Sequence, residues 1–249
     1  MNIIIAPSWP QNLPKQLGAT VWYDACKSGV LEAGNKVSSL TDLTGNNFNC
    51  IQSTDSKRPV WTDKQQHGRP VLVFSAANQT DLLSSNNWTG GQAATIIVVC
   101  RTTTNNVNQP IFGCYDSSAV RKPALRFDTT NKVTSAFRTN AASVSSRTSN
   151  ETYYNIPIIV TTTINVASTS DEVPLLSING ITTSTNVYTA NTSNLGGYKL
   201  NIGATGETGT SVYMTGWVSE IMLFDSILSS TNIVKIEKYL SQKWGIKLA

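Results

Sequence analysis

The sequence is short of charge. Lys, Arg, Asp and Glu make up 14% of its 249 residues, against about 25% in an average soluble domain. The net charge is +4, and the basic residues are scattered. No basic run reaches the roughly five to eight residues of a nucleic-acid or heparin patch, so no nucleic-acid partner is expected. No apolar stretch approaches the ~18 residues of a membrane span, so no membrane insertion is expected. The opening Met1-Asn2-Ile3-Ile4-Ile5-Ala6-Pro7 lacks a basic n-region, which reads as no signal peptide. Histidine occurs once, as His67 between Gln66 and Gly68, where it reads as a surface-loop residue. There is no G-x-S-x-G, P-loop, H-E-x-x-H or G-x-G-x-x-G. The four cysteines, Cys26, Cys50, Cys100 and Cys114, form no C-x-x-C. They allow three pairings, and buried free thiols are the favoured reading.

What fills the gap is uncharged polarity. Thr, Ser and Asn number 31, 27 and 23, close to a third of the chain. These residues favour strand faces, turns and caps over helix interiors. With 40% hydrophobic residues the chain can build a core, and an all-α fold or a coiled coil fits poorly. The N-x-S/T sequons at Asn78, Asn87, Asn150 and Asn191 are no more than this composition predicts.

Short apolar runs read as strands: 19–23, 71–74, 94–100, 111–114, 124–127, 133–137, 156–166 and 212–224. The run at 94–100 is continuously apolar, as in a strand buried on both faces. Gly216 marks a bulge or bend. Leu175 to Thr183 carries Asn179-Gly180 between two β-prone runs, which predicts a type I′ hairpin. From residue 229 the pattern becomes helical. Ile233, Ile236, Leu240 and Trp244 share one stripe, Ser229 or Ser230 is the N-cap, and Gly245 is the stop. Lys243 in the last turn suits the helix dipole. Residues 1–18, with Pro7, Pro10 and Pro14, read as an extended arm. Residues 19–249 read as one domain, with helix 229–244 at its end. The expected fold is all-β: a two-sheet antiparallel jelly-roll sandwich with one C-terminal amphipathic helix.

Catalytic ingredients are sparse. Glycoside hydrolysis needs two carboxylates about 5–9.5 Å apart. Glu220 and Asp225 are five apart, which puts them on opposite faces of a regular strand, and so are the adjacent Asp171 and Glu172. No catalytic residue is assigned, and the chain reads as a non-enzyme. Sugar sites combine aromatic faces with Asn, Asp and Thr. The ligand-binding candidates are therefore Asn87 and Trp88, Tyr115 and Asp116, Tyr153 and Tyr154, and Tyr198. The segment from Asp42 to Asn47 reads first as an Asx-type turn. Asp42 is also the single weak candidate for a metal.

Several ordered motifs carry a resemblance. Near the start are Val21-Trp22-Tyr23-Asp24-Ala25 and Val37 to Asn47, then Gln52, Arg58-Pro59 and Gly68 to Phe74. At the end are Gly216-Trp217-Val218-Ser219-Glu220-Ile221-Met222-Leu223-Phe224-Asp225 and Tyr239 to Ile246. Over about 20–248 the chain resembles the concanavalin A-like, laminin-G-like jelly-roll domains of bacteriophage virion and bacterial surface proteins. The resemblance implies a non-catalytic decoration, head-fibre or tail-associated module on a virion or other extracellular surface. It implies other virion proteins as partners, engaged through the arm, along with oligomerisation and adhesion to cell-surface glycans. Some relatives bind Ca²⁺, which would fall to Asp42; no other cofactor is expected. A glycan-active hydrolase of the same fold and a bacterial surface lectin are the alternatives. In this fold Trp22 and Phe74 are expected in the core and Asp24 on nearby backbone N–H groups.

Overall fold

The computed structural model describes residues 12–27, 29–115, 121–137, 145–166, 175–183, 185–187, 194–205 and 212–249, with the side chains of residues 30, 115, 121, 122 and 185–187 outside that description. In chain order the strands are β1 (Val21–Asp24), β2 (Gly29–Leu31), β3 (Val37–Leu40), β4 (Cys50–Ile51), β5 (Val60–Gln66), β6 (Arg69–Phe74), β7 (Leu82–Trp88), β8 (Ala93–Thr102), β9 (Gln109–Tyr115), β10 (Arg121–Phe127), β11 (Val133–Phe137), β12 (Ser145–Thr148), β13 (Ile158–Asn165), β14 (Leu175–Ile178), β15 (Ile181–Thr183), β16 (Thr185–Val187), β17 (Tyr198–Ile202) and β18 (Gly216–Phe224). Two α-helices flank them, α1 (Leu13–Gln16) and α2 (Ser230–Trp244).

The strands form two antiparallel sheets. One has eight strands in the order β15-β14-β13-β8-β18-β6-β5, with β1 pairing on β18. The other has ten, in the order β16-β12-β11-β10-β9-β17-β7-β4-β3-β2. The expected all-β sandwich with a C-terminal helix is what the structure shows.

Two hydrophobic layers hold it together. The first lies between the sheets and includes Ile96, Val98 and Cys100 of β8 with Phe112, Phe127 and Phe137 from the ten-stranded sheet. The second covers the outer face of the eight-stranded sheet and includes Ile97 and Val99 of β8, Trp22, and Ile236, Leu240 and Trp244 of α2. Alternate β8 side chains enter different layers, which is why that run is apolar throughout. Thr162 also points between the sheets, where its hydroxyl meets the Ser135 hydroxyl at 2.7 Å.

The hairpin and helix form as their residues predict. Asn179 and Gly180 take φ of 52° and 84° between β14 and β15. Ser229 caps α2 by accepting from the Asn232 N–H, and Gly245 closes it in the left-handed conformation at φ 64°. All four cysteines are free thiols.

Two expectations are corrected. Residues 12–18 are not an extended arm: Leu13–Gln16 is a helical turn, and Leu13 is buried in the second layer. Pro14 sits in the first turn, where its missing N–H leaves no bond unmade. The rest of the arm, residues 1–11, lies outside the described residues. The bulge of β18 is at Ser219, between the paired residues Val218 and Glu220, rather than at Gly216. Gly216 serves close approach instead, since a Cβ there would lie 2.1 Å from the Arg101 carbonyl oxygen.

Candidate functional site

The bulge at Ser219 resets the alternation of β18. Val218 faces the inter-sheet layer, and after the extra residue Glu220 faces α2 together with Met222 and Phe224. There Glu220 is 1% exposed. Its Oε1 accepts from Trp22 Nε1 at 2.9 Å and the Tyr239 hydroxyl at 2.9 Å. Its Oε2 accepts from Lys243 Nζ at 2.7 Å and Trp244 Nε1 at 2.8 Å. Lys243 Nζ also donates to Asp24 Oδ2 at 2.7 Å and lies 5.0 Å from the Trp244 ring centre. Asp24 Oδ1 accepts from the Cys26 N–H at 2.9 Å, the expected backbone bond.

Burial pushes the Glu220 carboxyl above the usual carboxylate range, against the pull of Lys243. Burial alone would lower Lys243, but the Glu220 and Asp24 carboxylates outweigh it and raise the ammonium. Every Glu220 lone pair that matters has a donor, and the cluster is sealed beneath α2. A perturbed acid of this kind is a functional candidate only where a ligand can reach it. Here its chemistry is to pin the helix to the sheet. Lys243 therefore turns inward to the carboxylates. Asp225 lies at the far end of β18 and accepts from Trp88 Nε1 at 2.7 Å. The two carboxylates are thus engaged on opposite sides of the sheet.

The ligand-binding candidates are placed differently from one another. Asn86, Asn87 and Trp88 belong to β7, not to a loop. Alternation sends Trp88 inward, where it is 1% exposed, and it presents no ring to a ligand. Gly90 and Gly196 press on it: a Cβ at Gly90 would lie 2.3 Å from the indole. Asn87 is exposed and donates to the Gly197 carbonyl at 3.2 Å. Tyr198 pairs with Trp88 across β17 and β7 and is half-buried against the core. Tyr153 is half-buried, and Tyr154 is 45% exposed. Tyr115 ends β9 with its side chain outside the described residues, and Asp116 lies outside them altogether.

Asp42 forms the expected Asx turn. Its Oδ1 accepts from the Trp22 N–H at 3.1 Å and the Thr44 N–H at 3.0 Å. Its Oδ2 accepts from the Thr44 hydroxyl at 2.8 Å and the Phe48 N–H at 3.3 Å. Both oxygens are turned to donors in a buried turn, the Asx geometry expected of this segment. His67 is exposed at the strand turn, with Nδ1 3.3 Å from the Lys243 carbonyl.

A cleft of about 280 Å³ opens where the first turns of α2 cross β13, β14 and β15. Thr161, Thr163, Ser177, Thr182 and Ser230 line it, with Leu175, Ile233 and Val234 beside them. At its base is Glu237, a residue no sequence feature had nominated. Its side chain is 4% exposed. Oε1 accepts from the Thr161 hydroxyl at 2.7 Å and the Ser177 hydroxyl at 3.2 Å. The sequence signal was there to read: Glu237 lies on the same helical stripe as Ile233, Leu240 and Trp244, where a charge must meet a partner or a site. Glu220 gave the same signal inside an apolar strand.

Several solved structures share this sandwich fold. The botulinum neurotoxin serotype D ligand-binding domain, solved with N-acetylneuraminic acid, superposes with a TM-score of 0.60 at 12% identity, over 90% of this chain and 51% of that one. The binding domain of Paraclostridial Mosquitocidal Protein 1 gives 0.64 at 13%, over 91% and 53%. Trypanosoma rangeli sialidase, solved in complex with 2,3-difluoro-KDN, gives 0.56 at 13%, over 91% and 33%. This chain spans about half the length of the two toxin domains and a third of the sialidase. At these identities the likeness is one of fold. No protein-family model matches the sequence, and no curated protein matches it.

Proposed function

We propose that this chain is a non-catalytic carbohydrate-binding sandwich module carried on a virion or other extracellular surface. One observation carries the binding reading. The cleft between α2 and the β13–β14–β15 face is lined by five hydroxyl-bearing residues and one glutamate beside an apolar wall. Hydroxyl and carboxylate groups exchange hydrogen bonds with sugar hydroxyls, and the apolar wall suits the C–H face of a ring. Structures of similar fold include a toxin domain solved with N-acetylneuraminic acid and a botulinum neurotoxin type C whose cell entry depends on two gangliosides, which supports carbohydrate as the broad ligand class. The other buried carboxylates described above are occupied by donors inside the protein, which supports binding over catalysis. The virion setting rests on the ordered motifs at both ends of the chain, and an assembly partner there belongs to the same proposal.

A glycan array probed with the purified chain tests the binding reading. Reproducible binding that Val234→Trp abolishes is expected, because that residue stands 45% exposed at the mouth of the cleft. Chelator is expected to change nothing, since both Asp42 oxygens already hold donors. An array blank for every glycan refutes the module. Detection of the chain in purified particles tests the virion setting.

A further inference from the structure

We propose that the cleft under α2 selects a sugar carrying a protonated amine and rejects acidic sugars. This rests on the carbohydrate-binding reading above and names the ligand class of the same site. The carrying feature is the unequal state of the two Glu237 oxygens. Oε1 holds the Thr161 and Ser177 hydroxyls. Oε2 receives no hydrogen bond from any described residue, and no described cation pairs with Glu237. The four ion pairs among the described residues use Asp55, Asp24 and Glu220. Oε2 is free to accept, and a cation placed against it forms a charge-assisted bond.

The surroundings keep that oxygen open. A Cβ at Gly180 would stand 3.8 Å from Oε2. The Asn179-Gly180 turn therefore leaves clear the space over the carboxylate that another residue would occupy. The volume, about 280 Å³, lies near the lower end of ligand pockets, which run from roughly 300 to 1,000 Å³. That suits one ring rather than an extended chain. An ammonium at Oε2 orients such a ring. Its C–H face meets Ile233 and Val234, and its oxygens point toward Ser230, at the positive end of the α2 dipole. An acidic sugar in the same place would set a second carboxylate beside a buried one, which is repulsive. The cleft thus differs in charge preference from the similarly folded domain solved with N-acetylneuraminic acid. Fold is shared there, and ligand chemistry follows the site.

The test titrates the whole chain with D-glucosamine, N-acetylglucosamine and N-acetylneuraminic acid, using ligand-observed NMR. Glucosamine is expected to bind at least tenfold more tightly than the other two. Glu237→Gln keeps an acceptor for Thr161 and Ser177 but removes the charge, and it should erase the preference with the melting temperature held. Val234→Trp, which leaves Glu237 untouched, should abolish binding by filling the mouth. Equal glucosamine affinity in wild type and Glu237→Gln overturns the proposal. So does N-acetylneuraminic acid binding that Val234→Trp removes. If array glycans bind while glucosamine does not, the charge selection fails and the carbohydrate module stands. If no glycan binds at all, both fail.

Discussion

Replacing Lys243 with methionine tests the buried cluster most sharply. The substitution keeps an unbranched apolar stem and removes the ammonium. In the wild type that ammonium lies 2.7 Å from both Asp24 Oδ2 and Glu220 Oε2, whose side chains are wholly buried. Without it two carboxylates share a dry space with no counter-charge. Removing one partner of a buried pair costs about 3–5 kcal/mol, a large share of the ~5–15 kcal/mol that holds a domain folded. Asp24→Asn, Glu220→Gln and Lys243→Met combined leave no charge behind. That variant should lie within about 2 kcal/mol of wild type, because neutral groups shed the desolvation penalty. Denaturant unfolding followed by tryptophan fluorescence reads both, since the Trp22 and Trp244 indoles donate to Glu220. Lys243 adds a pH signature. Its folded value is raised from 10.5, so its contribution is complete below that pH and is lost as pH rises through the higher folded value. Wild-type stability should fall more steeply above pH 10.5 than that of the triple variant. A single-variant cost under about 1 kcal/mol, the level of an exposed pair, would refute the reasoning. A triple variant no more stable than the single would also refute it.

Leu240→Ala should cost about 2–5 kcal/mol, because Leu240 is 1% exposed in the layer beneath α2; a near-neutral unfolding curve would contradict that packing. Trp88→Ala should cost about 3–5 kcal/mol and leave glycan binding per folded molecule unchanged, since its ring is buried and its N–H is held by Asp225; selective loss of binding with full stability would reverse this. A thiol reagent should modify Cys26 first in the native protein, and Cys50, Cys100 and Cys114 only on unfolding, as their burial dictates. Burial pushes the Cys50 thiol up to about 12, which adds to its protection; early labelling of Cys50, counted by mass spectrometry, would argue against the sandwich core.

The sequence was legible where local chemistry and tertiary demand agree. The Asn179-Gly180 turn and the Ser229 and Gly245 ends of α2 are set by backbone conformations that few other residues reach, so they formed where expected. It was illegible where pairing overrides composition. Leu82-Leu83-Ser84-Ser85-Asn86-Asn87-Trp88 holds no β-branched residue to mark it as a strand, and its Asn86-Asn87-Trp88 end continues into Thr89-Gly90-Gly91 as a loop by composition. It is β7 because β4 and β17 pair with it on either side. That one change of element turned Trp88 from an exposed ring into a core residue. The same tertiary override moved Leu13 from an arm into the second layer.

The two carboxylates at the faces of α2 show how far composition alone can go. Glu220 stands in an apolar strand and Glu237 on an apolar helical stripe. The pattern therefore announces both as buried charges. It says nothing of how many donors meet each one, because those donors come from residues up to 198 positions away. The count separates their roles. Glu220 has four donors, one of them the Lys243 ammonium, so it ties α2 to the sheet and has nothing left for a ligand. Glu237 has two donors on one oxygen and opens on a cleft, so its second oxygen is available to a partner. Burial is written in the period of the sequence, whereas satisfaction belongs to the assembled fold, and a buried charge becomes a site where the first is present without the second.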